Sequence, residues 1–132
     1  MTEQTWFALN LYNRRLMKRE TITIDATGQA VGRVATQVAL ALRGKNKPTF
    51  APHIDAGDIV QVVNAGKVKF TGRKLVQKDY YHHTQYPGGL KRTPMKKVFD
   101  KNPAEVIRRA VMGMLPKNKL RSEMIKRLHI SV

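Results

Sequence analysis

No cysteine occurs among the 132 residues, which excludes a disulfide framework and every thiolate-based metal or catalytic site. No uninterrupted apolar run approaches the roughly 18 residues needed to span a bilayer, and the N-terminus lacks an apolar core with a cleavage site. A soluble chain without a secretory signal is therefore expected. Internal repeats and low-complexity segments are also absent. Acidic residues are scarce: 9 Asp and Glu stand against 25 Lys and Arg, giving a formal net charge of +16.

That excess is far beyond the magnitude of about 2 to 8 that keeps a small domain soluble, and it repels itself unless a polyanion neutralises it. Its distribution is uneven. Residues 1–66 hold 8 Lys/Arg against 5 Asp/Glu, whereas residues 67–132 hold 17 against 4. The second half is the expected polyanion face, and its cations are spread through structured segments instead of forming a detachable arm.

The length suits one domain, read here as residues 21–132 preceded by a basic extension over residues 1–20. In the extension, Trp6, Leu9, Asn13, Leu16 and Met17 recur at helical spacing beside Arg14, Arg15, Lys18 and Arg19. A mitochondrial targeting helix has a similar composition, but Glu3 and Glu20 flank the segment, which favours an extension docked on a partner surface.

Thr21 to Asp25 alternates Thr and Ile, a short strand pattern, and the Gly-containing turn from Ala26 to Ala30 leads to Val34, Ala35, Val38, Ala39 and Leu42 at helical spacing, closed by Gly44. The β-branched run Ile59 to Val63 predicts a strand covered on both faces, completing a βαβ unit. Further short strands are expected at Lys67–Phe70 and Lys78–His82. The C-terminal third reads as helical. A short helix starts at Thr93-Pro94. A second is capped by Asn102-Pro103-Ala104-Glu105 and buries Val106, Ile107, Ala110, Val111 and Met114, and a last one carries Leu120, Met124 and Leu128.

Gly28-Gln29-Ala30-Val31-Gly32-Arg33 occupies the strand-to-helix turn where a phosphate loop would lie, but it has neither the Gly-Lys-Ser/Thr ending nor the Gly-x-Gly-x-x-Gly spacing. It is better read as a tight turn in which Gly32 permits close helix approach, with Arg33 near the helix start as a phosphate contact. His53, His82, His83 and His129 show no metal-ligand spacing, and on one strand His82 and His83 face opposite sides. No metal and no cofactor are expected.

The stretch from Tyr80 to Arg92 combines rings, imidazoles, Gly88-Gly89 and two cations, a mixture suited to stacking on unpaired bases and neutralising phosphate. Alternation places one of Tyr80 and Tyr81 in the core and the other outside.

Ordered motifs now connect these segments. Asp25-Ala26-Thr27-Gly28, Gly32-Arg33-Val34-Ala35-Thr36, Leu42-Arg43-Gly44-Lys45 and Pro52-His53-Ile54-Asp55-Ala56-Gly57-Asp58 are followed by Val63-Asn64-Ala65, Thr71-Gly72, Tyr80-Tyr81-His82-His83-Thr84, Gly88-Gly89 and Gly113-Met114-Leu115-Pro116. In this order they resemble the bacterial-type large-subunit ribosomal protein of family thirteen, over roughly residues 21 to 130. The resemblance implies a three-layer α/β/α fold with a small, mostly parallel sheet and a helical C-terminal third. It implies no catalysis, and partners that are large-subunit ribosomal RNA and neighbouring ribosomal proteins, with a role early in subunit assembly in the cytoplasm or an organelle.

Carried over by position, the RNA-facing residues are Arg33, Lys45, His53, Arg73, Lys74, Tyr81, His82, His83, Lys91 and Arg92. Lys117, Lys119, Arg121, Lys126 and Arg127 join them on the basic loop and last helix. Two residues depart from the pattern: the family usually has Trp where Thr21 stands and Lys where Met112 stands. Two other functions fit parts of the sequence, a nucleotide-dependent RNA-modifying enzyme using Gly28 to Arg33 and a free nucleic-acid-binding regulator.

Overall fold

The computed structural model describes Thr2 and residues 19–132. The helix expected between Trp6 and Met17 lies outside the described residues.

Strand β1 (Thr21–Asp25) leads through a turn into α1 (Val31–Arg43), and β2 (Ile59–Val63) returns parallel to β1. Helix α1 ends because Gly44 adopts φ 75°, where a Cβ is disfavoured, and the Gly44 and Lys45 amides then donate to the carbonyls of Ala41 and Leu40. The expected C-terminus of this helix is correct to the residue.

Beyond a short 3₁₀ turn at Ala65–Lys67 come α2 (Lys74–Gln77), β3 (Asp79–His83), β4 (Leu90–Pro94), α3 (Met95–Lys101), α4 (Pro103–Met114), α5 (Arg121–Lys126) and β5 (Leu128–Ile130). The sheet has the order β1-β2-β5 and is wholly parallel, while β3 and β4 form a separate antiparallel hairpin.

Two expectations change here, and one strand was not expected. The last helix stops at Lys126, and Leu128 is the first residue of β5, pairing with Val60. Leu128 repeats four residues after Met124 and so fits a helical stripe, but the parallel ladder on β2 competes for its backbone and wins. The expected strand at Lys67–Phe70 is reduced to one isolated parallel bridge between Ala30 and Lys69. The strand β4 was concealed by its composition, since Leu-Lys-Arg-Thr-Pro has no alternation of apolar residues.

Register places Ile22, Val60 and Leu128 in one inward row and Ile24, Val62 and Ile130 in the next. Against them pack Val34, Ala35, Val38 and Leu42 of α1, all fully buried, with Ile107 and Val111 of α4 completing the core. The opposite face of the sheet carries the row Thr23, Gln61 and His129, each exposed. Among the described residues, β2 is therefore fully covered on one face, not on both. The α/β class and the small parallel sheet stand, and the described helices supply no third layer over that row.

Helix α4 begins as its sequence requires: Asn102 Oδ1 accepts from the Ala104 amide, and Pro103 takes the first turn. Glu105 does not complete the reciprocal box. It accepts instead from Arg109 Nε at 2.8 Å, one turn along. The cap thus rests on Asn102 alone, and Asn102→Ala is expected to cost about 1 kcal/mol in urea unfolding. The stripe of α4 is also shorter than expected, because Met114 is 46% exposed.

Candidate nucleic-acid interface

Tyr80 and Tyr81 divide as alternation requires. Tyr80 is half-buried beside Met95 and Val106, with the Arg109 guanidinium 4.5 Å from its ring centre, whereas Tyr81 is 63% exposed. Burial pushes the Tyr80 phenol above its usual range, and the nearby Arg109 charge pulls the other way. Its stabilising effect is thus fully present below the ordinary value and is lost as pH rises through the higher folded one. A spectrophotometric titration should show one tyrosine ionising above 10.0, and Arg109→Ala should move it higher still.

Past Tyr80 the hairpin stands clear of the body, and Tyr81, His82 and His83 are all exposed. Register sorts its side chains onto two faces: Tyr81 opposes Arg92 and His83 opposes Leu90 on one, while His82 opposes Lys91 on the other. Each face thus presents one cation beside at least one ring, Arg92 with Tyr81 and His83 on one and Lys91 with His82 on the other. Arg92 is anchored through Nε to Asp79 at 2.6 Å.

The loop is held by its own groups. Thr84 donates its amide to the Gly89 carbonyl, and Gly89 donates to Tyr86. The Gln85 amide donates to His83 Nδ1 at 3.0 Å, which leaves Nε2 as the outward donor of that imidazole. A Cβ on Gly89 would lie 2.0 Å from Thr84 Oγ1 and 2.9 Å from the backbone carbonyl oxygen of Tyr86, which cannot rotate away, so closure of the loop favours the second glycine. Tyr86, 75% exposed, occupies the tip.

The remaining sequence-derived contact residues are widely distributed. Arg33, Lys45, His53, Arg73, Lys74, Lys117, Lys119 and Lys126 are exposed and Arg121 is half-buried. Arg33 lies in the first turn of α1, Arg73 and Lys74 start α2, and Lys117 to Arg121 form the connection into α5. The fold does not gather them into one pocket.

Arg127 is the exception and leaves the set. It is 8% exposed, and all five guanidinium N–H groups have internal acceptors. Two reach Asp55 in a forked pair, and the others reach the carbonyls of Asp58, Leu42 and Glu123. None remains for a phosphate. Beside this brace, Asp58 accepts from Lys47 Nζ and from the Glu20 amide, so the two carboxylates of the Asp55-Ala56-Gly57-Asp58 motif tie α1, β2, α5 and the chain entering β1 together. Reasoning from sequence missed this role. The available signal was a pair of acids in a chain otherwise poor in them.

The turn before α1 is not a phosphate cradle. Asp25 Oδ1 accepts from the Thr27 amide, from Thr27 Oγ1 and from Asn64 Nδ2. Those bonds, the Thr27 amide first, hold its carboxyl below the ordinary value of 3.8, so a negative charge persists where a nucleotide phosphate would have to sit. The Gly28, Gln29 and Val31 amides are also occupied, by Lys67, Ala26 and Lys69 carbonyls. The contribution of Asp25 is present above its ordinary value and is lost as pH falls through the lower folded one. Carboxyl NMR should find it titrating below 3.8, and Asn64→Ala should raise it. Gly32 is likewise not a close-approach residue, because a Cβ there meets nothing within 4 Å.

No group of three or more His, Cys, Asp or Glu able to hold a metal occurs among the described residues. No described helix is long and apolar enough to cross a membrane. The fold and its exterior define a class: a small α/β protein with cations spread over its surface and with Asp55 and Asp58 drawn into a structural brace. A family model described as "Ribosomal protein L13" matches residues 19–131. The chain belongs to this family.

Its relatives include the "Large ribosomal subunit protein uL13" of Citrifermentans bemidjiense, 52% identical over 121 residues that cover 88% of this chain and 85% of the relative. The protein of the same name from Clostridioides difficile is 54% identical over 114 residues, covering 86% and 80%. That of Roseiflexus sp. is 53% identical over 114 residues, covering 86% and 78%.

Proposed function

We propose that this chain is a structural constituent of the large ribosomal subunit that binds ribosomal RNA and supports early subunit assembly. Neighbouring large-subunit proteins are its further partners, and the cytoplasmic ribosome is its location. Membership of the family carries the reading. Its physical support is the exterior: exposed cations occur on the hairpin, α1, α2 and the connection to α5, while the carboxylates of Asp25, Asp55, Asp58 and Asp79 are engaged internally. Pairing Asp55, Asp58 and Asp79 removes one cation for each carboxylate, so the positive excess of the chain is left whole. Phosphate neutralisation supplies affinity, and Tyr81, His82 and His83 offer stacking and hydrogen bonds to unpaired bases.

Sedimentation of native lysate tests the proposal. The chain should travel with the large subunit at moderate and at high salt, and a wholly free pool at moderate salt would reject it. For the hairpin, a His82→Ala, His83→Ala double variant should lose local protection of the RNA from chemical probes. Protection identical to that of the unaltered chain would remove the hairpin from the interface.

A further inference from the structure

Between the C-terminal half of α4 and the start of α5 lies an open cleft of about 620 Å³, within the roughly 300–1,000 Å³ typical of sites for small-molecule-sized groups. Its apolar surface comes from Met112 and Ile125, both half-buried, and Lys117, Lys119 and Arg121 contribute its cations. Among the described residues, no acidic side chain lines it. Asn118 and Ser122 supply the remaining polar groups. Asn118 Oδ1 is turned to the Arg121 amide, which leaves Nδ2 as a donor, and Ser122 Oγ gives its proton to the Lys119 carbonyl, which leaves oxygen lone pairs as acceptors.

We propose that this cleft seats one unpaired nucleotide of ribosomal RNA, its base on Met112 and Ile125 and its phosphates among Lys117, Lys119 and Arg121. The inference rests on the RNA-binding role proposed above and adds a base-sized seat to it. A surface that only neutralised phosphate would have no use for an apolar floor. A continuous RNA duplex keeps its bases stacked inside and offers none to such a floor, whereas an unstacked nucleotide presents both a flat apolar face and an adjacent anion. The free donor on Asn118 and the acceptor on Ser122 match the mixed edge of a base, and the three cations match its backbone.

Ultraviolet cross-linking of the full chain to transcribed large-subunit ribosomal RNA, followed by mass spectrometry of nucleotide-bearing peptides, tests the seat. A nucleotide adduct should map within residues 112–125. Met112→Lys should lower its yield at least about tenfold while overall RNA affinity stays within about twofold, because the substitution removes the floor and adds a cation. If the cleft is only a basic patch, the yield in Met112→Lys will hold or rise, and the proposal fails. Ser122→Arg fills the cleft from the other rim and should also abolish the adduct; if circular dichroism shows Met112→Lys unfolded, this variant decides alone.

Absence of an adduct in that segment from a chain that retains the RNA overturns the seat and leaves the RNA-binding role intact. Failure to retain the RNA at all overturns that role, and the seat with it. Cross-linking of intact subunits that finds an acidic peptide there assigns the cleft to a protein and overturns the nucleotide.

Discussion

Arg127→Leu is expected to destabilise the fold by about 3–5 kcal/mol, because it leaves a buried carboxylate without its forked partner. The Asp55 side chain is only 15% exposed, and the cation left near it, Arg19, is 3.6 Å away. The same substitution strips the Leu42 and Asp58 carbonyls of a guanidinium donor in the buried interior. Thermal unfolding should shift down by at least about 10 °C for a domain of this size.

Lys126→Ala, one residue earlier, should change stability by less than about 0.5 kcal/mol, since its ion pair with Glu123 is on the surface. Under the proposed RNA-binding role, its effect is expected in RNA affinity instead. Adjacent cations of similar appearance in sequence are thereby separated into a buried brace and an exposed surface charge. A finding that Arg127→Leu unfolds like the unaltered chain while losing RNA would reverse that assignment. The doubly apolar Arg127→Leu, Asp55→Leu variant should recover much of the lost stability, because it removes the orphaned charge as well as the pair.

Gly57→Ala should cost more than about 3 kcal/mol or abolish folding, beyond the usual cost of overpacking by a methyl group. A Cβ at this position would lie 1.6 Å from the Leu42 carbonyl oxygen and 2.4 Å from its carbon, and both are backbone atoms at the end of α1 that cannot rotate away. The same approach brings Leu42 O within 3.0 Å of Arg127 Nη2, so displacing it also breaks the brace.

Gly32→Ala is the control. It has an open Cβ position near the start of α1, and the substitution should stabilise by about 0.4–1 kcal/mol through the unfolded chain. Chemical unfolding of the two variants should therefore move in opposite directions. Equal effects would show that the contact at Gly57 does not constrain the fold.

Much of the scaffold was legible because it depends on local periodicity and punctuation. Helix α1 and its terminal Gly44, the Asn102 cap of α4, the strand Ile59 to Val63 and the inward and outward division of Tyr80 and Tyr81 all follow from spacings of two or 3.6 residues and from turn chemistry. The ordered motifs carried the family resemblance further than any one of them.

Pairing between distant segments was not legible. Leu128 joins β2 instead of extending α5, and Leu90 to Pro94 becomes a strand because Asp79 to His83 lies opposite, although its own composition does not predict one. For the proposed interface, sequence supplied a set of cations as candidates, but it could not separate Arg127 from Lys126 or set Gly57 apart from Gly32.

The sequence by itself determined a cysteine-free, strongly basic α/β chain whose charge demands a polyanion, since composition and local pattern need no knowledge of what lies across the fold. Only the tertiary structure decided which charges are spent inside and which glycines are obligatory. Both depend on segments distant in the chain coming together, as Arg127 meets Asp55 and as the backbone of Leu42 leaves no room for a Cβ on Gly57, and no spacing along the sequence encodes that approach.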